Sequence, residues 1–243
     1  MPLIATRGAA SVQGFKNLIG MAAPETPPVI GQLYKGGYYF GDINVNGTVY
    51  QLIMAPRPEG FTIAQYSTSA TLGTADAPTS VVDGWSNTNS NVTAARPANQ
   101  WVRSLNINGY NDWYIAARDE MELMYRNLKT NSTANSTGNR GYTTQQGDTV
   151  FTQGNNQNSV PIGAAYTTGD PAITPIGQFQ EGGDQSFVPN ATNYNMITST
   201  KYLGAANTML YQSMLNGLQA TTTNVTNSLR VRAIRREVRP VYP

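Results

Sequence analysis

The sequence predicts an α+β fold: two helices packed on small twisted antiparallel sheets, with a long polar insertion and an extended N-terminal arm. Three patterns predict it. Asn46-Gly47 lies between two stretches rich in Tyr, Val and Ile, which is the strongest two-residue hairpin signal. Two segments repeat apolar residues at i, i+3, i+4 and i+7, the spacing of one helical face. They are Ala98, Trp101, Val102, Leu105 and Met121, Met124, Tyr125, Leu128. Near the end, Leu229, Val231 and Ala233 alternate with Arg230 and Arg232, the period of a strand.

The elements follow in chain order. Residues 1–23 are rich in Gly, Ala and Ser and too small-residued to make a core. They read either as a disordered terminus or as an arm that orders against a neighbouring subunit. Arg7, Phe15 and Lys16 are the side chains such an arm would dock with. Pro24-Glu25-Thr26-Pro27-Pro28 is a stiff linker. It divides the chain into an arm and linker, 1–28, and a body, 29–243. In the hairpin at 35–56, central residues Asn46-Gly47 pair Val45 with Thr48 and Ile43 with Tyr50. Pro56 and Pro58 end its second strand, because proline cannot donate to a ladder. A short strand is expected at Gly60–Gln65, and a turn with an aromatic anchor at Asp83-Gly84-Trp85-Ser86-Asn87. The first helix covers Arg96–Leu105, with Pro97 suited to its first turn.

The second helix follows Asn111-Asp112-Trp113, with Asp119 and Glu120 in the first turn, where the helix dipole favours negative charge. Residues 129–195 form the polar insertion. Asn131–Gly138 reads as a flexible surface loop, and short ordered pieces are expected near Val160–Tyr166 and Gln178–Val188. Strands are expected at 194–200, 209–214 and 229–234, with a weak one at 218–221 after the Asn216-Gly217 turn.

Composition removes several kinds of chemistry. The chain has 243 residues and neither Cys nor His. Disulfides, thiolate–zinc sites, Cys nucleophiles and Ser-His-Asp triads are therefore excluded. Charged residues make up only 12%, against roughly 25% in ordinary domains. The polar surface must be built from amides and hydroxyls. Net charge is +2 and mean hydropathy is -0.37, so no strong electrostatic partner is implied. No apolar run approaches the roughly 20 residues that span a bilayer. Arg7 and Lys16 flank no continuous apolar core, so neither a secretory signal nor membrane insertion is expected.

Further motifs carry a resemblance. Gly109-Tyr110-Asn111-Asp112-Trp113-Tyr114-Ile115, followed by Arg118-Asp119-Glu120-Met121, resembles the signature G-x-x-D-W-x-L-P-[ST]-x-x-E-L of the Lcl-type C-terminal domain. That family is C-type-lectin-like and occurs in bacterial surface proteins and tailed-phage virion proteins. Ile197-Thr198-Ser199-Thr200-Lys201-Tyr202 resembles its W-[ST]-S-[ST]-E-Y strand. Tyr211-Gln212, Asn216-Gly217 and Arg230–Arg236 resemble its W-Y-Q, N-G and V-R-A-V-R-R ending. The likeness spans roughly residues 35–237. It implies a C-type-lectin-like fold in which Asp112, Trp113 and Arg232 are structural signature residues. Ala116 and Ala117 replace the family's Pro and helix-capping Ser/Thr, and a lost cap costs about 1 kcal/mol. The helix start should then be less firmly pinned. Lys201 replaces the family's Glu, which puts that polar contact in doubt. The opening R-G-A-A-S-x-x-G-F is similar to the starts of marine and cyanobacterial phage structural proteins.

The functional expectation follows. Asn111-Asp112 lacks the Glu-Pro-Asn partner motif and the oxygen-rich ligand set that calcium needs. No metal, cofactor or catalytic residue is expected. Asp119, Glu120 and Glu122 read as a solvated helix face, and Glu181 and Asp184 lie in a Gly-rich loop without a visible partner. Five C-terminal arginines (230, 232, 235, 236, 239) against Glu237 read as a salt-bridged strand rather than a nucleic-acid surface. The resemblance implies a virion protein of the tail, fibre, collar or capsid surface. Its arm would dock on other virion proteins, and its body would bind a host-surface glycan or protein. By analogy it would be a homo-oligomer, with a trimer favoured. In lectin-like phage proteins the polar C-terminal strands bind receptor. Here they carry Tyr194, Asn195, Tyr202, Tyr211, Gln212, Asn216, Gln219 and Asn224, residue types that give adaptable contacts. The alternative is a capsid, collar or baseplate decoration protein without receptor binding.

Overall fold

The structure is a computed structural model. It describes residues 26–70, 72, 78–142, 151–187, 194–222 and 224–242. One compact unit runs from Val29 to Arg239. The arm residues Arg7, Phe15 and Lys16 lie outside the described residues. The Val29–Arg239 unit is α+β, with a core made mostly of sheet and few helices.

Strand β1 (Leu33–Tyr34) leads into β2 (Gly37–Val45) and β3 (Thr48–Met54). The hairpin turn holds Asn46 at φ 52° and Gly47 at φ 92°, the two positive angles that a type I′ turn requires. Val45 faces Thr48 and Ile43 faces Tyr50, the register that the Asn-Gly turn predicts. Next come α1 (Arg57–Gly60), β4 (Phe61–Gln65), α2 (Gly84–Asn89), α3 (Pro97–Arg103), β5 (Tyr114–Ile115) and α4 (Arg118–Leu128). The chain closes with β6 (Ser159–Val160), β7 (Asn195–Lys201), β8 (Met209–Ser213), β9 (Gln219–Thr221) and β10 (Ser228–Val238).

Strand β10 is the spine. The sheet order is β1-β2-β3-β10-β7-β8-β9, with β4 and β5 also on β10 and β6 on β2. All the pairings are antiparallel except β10 with β7, which is parallel at Arg230 and Met196. One core cluster holds Ile234 with Phe40, Leu52, Met121 and Phe179. The other holds Val231 and Ala233 with Val102, Trp113 and Ile197. Both faces of β10 are therefore covered along its middle. The salt-bridged arginine strand is found at Arg235, Arg236 and Arg239, but Arg232 is fully buried and bonds neutral acceptors.

Four other local expectations change. The Asp83–Asn87 turn is the start of α2, because the Asp83 carboxylate accepts from Ser86 N at 2.9 Å and caps it. The start of α4 is well pinned although its cap residue is Ala117. Arg118 N donates to Thr200 Oγ1 (3.1 Å), Asp119 N donates to Val81 O (2.9 Å), and Glu120 Oε2 accepts from Ala117 N (2.7 Å). Tertiary partners satisfy the donors that a local cap would have taken. Asp119, Glu120 and Glu122 are buried rather than solvated: residues of the polar insertion cover Asp119 and Glu122, and Gly84 and Tyr114 cover Glu120. Asn131–Gly138 is tied down rather than loose: Asn131 and Asn135 are buried, and Asn135 Oδ1 accepts from Tyr125 Oη (2.6 Å) and Lys129 Nζ (2.7 Å).

Candidate functional site

The polar C-terminal strands were the expected binding surface, and the strand period sorts their residues. Tyr211 faces Ala220 and Gln212 faces Gln219 in the β8–β9 pair. Alternation sends Gln212 and Gln219 inward, and both are buried. They are not surface residues. The insertion reaches in to them: Arg140 Nε donates to Gln219 Oε1 (2.8 Å), and Gln212 Nε2 donates to Tyr166 Oη (3.2 Å). Without the insertion these amides would face water, which is why strand composition alone reads as surface.

Tyr211 goes the other way. It lines an open cleft of about 240 Å³ with Asn195, Thr221, Thr222, Asn227 and Leu229. Asn195 comes from the start of β7, Tyr211 from β8, Thr221 from β9 and Leu229 from β10. Asn227 arrives through a tight turn in which Asn224 Oδ1 accepts from Thr226 N and Asn227 N donates to Asn224 O. Thr222 fixes one wall, its hydroxyl accepting from Met209 N at 3.1 Å. Partial burial raises the Tyr211 phenol, so it is a neutral hydroxyl. The lining contains no ionisable acid, amine or guanidinium. Such a concavity can hold an uncharged group rich in hydroxyls or amides, with an apolar contact from Leu229. It has no group to move a proton near neutral pH.

Of the eight expected contact residues, the structure brings Asn195 and Tyr211 together in this cleft. Tyr194, Tyr202, Asn216 and Asn224 are half-buried and lie outside its lining. Tyr202 leans on Tyr142, with ring centroids 6.0 Å apart. Asn216 caps its own turn by accepting from Leu218 N. Sequence reading missed Thr221, Thr222, Asn227 and Leu229. The Asn224-x-Thr226 side-chain turn was the available signal for Asn227, since it places that residue at the entry to β10.

A second cleft of about 240 Å³ is lined by Tyr50, Trp85, Asp112, Tyr114, Arg236, Glu237 and Val238. Its charges are spent on one another. Asp112 takes a bidentate pair from Arg235 (2.7 and 2.8 Å), which also reaches Glu237 at 2.6 Å. Arg236 lies 2.9 Å from Asp83 and stacks 4.4 Å over Tyr50, while Arg103 stacks 4.5 Å over Trp85. Guanidinium planes already occupy ring faces that a ligand would use, so this cleft is a brace. Of the signature residues, Asp112 lines it, Trp113 follows Asp112 in the chain, and Arg232 lies elsewhere, against Ala55 and Gln185. Trp113 is fully buried, and its Nε1 donates to Tyr110 O. Asp112 ties β5 to the last strand through Arg235.

The buried acids of α4 line neither cleft. Glu120 accepts from Tyr114 Oη (2.7 Å), Ala117 N (2.7 Å) and Gly84 N (3.2 Å). Burial pushes it up to about 7 against the opposing pull of those hydrogen bonds and Arg236. Glu122 accepts from Arg126 Nε (2.8 Å), Asn156 Nδ2 (2.8 Å) and Tyr166 Oη (2.9 Å), and burial raises it too. Asp119 pairs with Arg118 at 2.6 Å and accepts from Asn158 Nδ2. Each acid fastens another segment to the helix. Among the described residues no cluster of three or more carboxylates could hold a metal ion. No helix among them is long and apolar enough to cross a membrane.

Comparisons with family models, curated proteins and solved structures return no match.

Proposed function

We propose that this chain is a non-enzymatic virion protein of a tailed phage. Its body has a C-type-lectin-like fold and binds a host-surface receptor, and its N-terminal arm docks it on the particle. The observation that carries the binding half is the open, uncharged cleft where Asn195, Tyr211, Thr221, Thr222, Asn227 and Leu229 meet. The virion assignment and the lectin-like identity rest on the sequence motifs at 109–121, 197–202 and 230–236. The hairpin, helices and closing strand support them by appearing in the order that resemblance implies. The receptor is an uncharged glycan or a polar protein surface, matched to a lining of amides and hydroxyls.

Labelled full-length protein tests this on a panel of bacterial strains. It should stain susceptible cells, and Tyr211→Ala with Asn227→Ala should reduce staining at least tenfold without changing the unfolding midpoint. No staining of any strain, or equal staining by the variant, overturns receptor binding at this cleft. A decoration role predicts instead that the protein is incorporated into particles and that no strain is stained. In either case, deleting residues 1–23 should abolish incorporation and leave the body folded.

A further inference from the structure

One arginine in the spine of the fold has no acid to answer it among the described residues. Arg232 is fully buried. Its Nε donates to Ala55 O (3.0 Å) and its Nη2 to Gln185 Oε1 (3.1 Å), both neutral acceptors. Its Nη1 is buried without any partner. A second guanidinium shares the neighbourhood. Arg57 N donates to the same Gln185 Oε1 (2.8 Å), its guanidinium lies over Phe61 at 5.7 Å, and its buried Nε also has no partner. Arg57 is close enough for its charge to oppose that of Arg232, which burial and Arg57 together hold down to about 9. The acids nearest Arg57 and Gln185 in sequence, Glu59 and Asp184, are exposed, and Glu237, nearest Arg232, pairs with Arg235. Among the described residues neither pairs with these arginines.

A buried guanidinium that has only neutral acceptors and a second guanidinium near it is costly. Gln185 Oε1 already accepts twice, so it cannot take the remaining donors. A group with several anionic oxygens can: carboxylate, sulfate and phosphate all match guanidinium donors. We propose that Arg57 and Arg232, set around Gln185, form a binding site for a single small oxyanion group. Arg57 is the half-buried member and forms the entrance. This site is separate from the receptor cleft, whose lining it does not share.

The full chain is unfolded in urea at rising concentrations of sodium phosphate, sodium sulfate or sodium acetate, each against sodium chloride at equal ionic strength. At least one of the three should raise the midpoint saturably, because a ligand of the folded state stabilises it by mass action. A response to acetate alone identifies a carboxylate donor. A response to phosphate or sulfate identifies a tetrahedral oxyanion. Arg57→Gln, at a half-buried position, should weaken the apparent affinity at least tenfold, and Arg232→Met should abolish the saturable rise. If Arg232→Met does not fold, Arg57→Gln decides alone. Absence of a saturable rise with all three anions, or an equal rise in Arg57→Gln, overturns the site.

Discussion

Replacing Glu120 by Gln should flatten the pH dependence of stability. Glu120 is fully buried where α2, β5 and α4 meet. Its Oε2 accepts from Gly84 N and Ala117 N, and its Oε1 accepts from Tyr114 Oη. The groups acting on its charge are Arg236, which favours the ionised form, and Asp83, which opposes it. Burial is the largest influence and raises the carboxyl from an ordinary 4.5 to about 7. The sign follows from linkage. Below 4.5 the folded and unfolded chains both hold the proton. Between 4.5 and 7 only the folded chain holds it, so stability falls as pH rises. Above 7 the loss is complete. At about 1.4 kcal/mol per pH unit, the 4.5-to-7 gap amounts to about 3.5 kcal/mol, of which about 3 kcal/mol falls above pH 5. Gln preserves the contacts: its carbonyl faces the two backbone donors, and its amide donates to a rotated Tyr114 hydroxyl. Urea unfolding at pH 5 and pH 8 measures the effect. Glu122 and Asp42 are also raised by burial, so the wild type should lose at least about 3 kcal/mol across this range. Glu120→Gln should lose about 3 kcal/mol less. An equal loss in both proteins, or a wild type that gains stability towards pH 8, would show that Glu120 does not carry the pH dependence.

Other substitutions test other joints. Lys129 is buried, and its ammonium donates to Thr133 O (2.6 Å), Asn135 Oδ1 (2.7 Å) and Pro171 O (3.2 Å). Lys129→Met strands those acceptors and should cost about 2–4 kcal/mol, with faster protease cleavage between residues 130 and 174 as the second readout. Gly217 sits at φ 73°, and a Cβ there would lie 2.4 Å from the Tyr125 ring. Gly217→Ala should therefore cost about 3 kcal/mol or more in chemical denaturation. Gly47 shares the positive φ, but nothing lies within 4 Å of its added Cβ. Gly47→Ala should cost only about 1 kcal/mol, and equal costs at the two positions would remove the steric part of the argument. Asp112→Asn breaks the bidentate pair with Arg235. Asp112 is about a third exposed, so the loss of stability should be modest, about 1 kcal/mol, and receptor staining should be unchanged.

Features that depend on neighbours along the chain were legible from residue order. The Asn46-Gly47 turn set the hairpin register, since both residues must adopt positive φ and that leaves one pairing of the flanking strands. The Met121, Met124, Tyr125, Leu128 face placed α4 on the core, because helical period and burial agree there. Both devices act over a few residues, so composition and spacing reveal them. Tertiary structure alone decided which polar groups meet water. In the Asp-Glu-x-Glu run that reads as a solvated face, Asp119 and Glu122 are sealed by Asn156, Asn158 and Tyr166, more than thirty residues downstream, and Glu120 by Gly84 and Tyr114. Gln212 and Gln219 look like Tyr211 in composition, yet the insertion covers them and leaves Tyr211 at the cleft. Arg232 alternates with apolar residues as an exposed arginine would, but both faces of β10 are covered. An amide or a charge is inside or outside according to what folds over it. In this chain the covering piece is a low-pattern polar insertion, whose course no local period records.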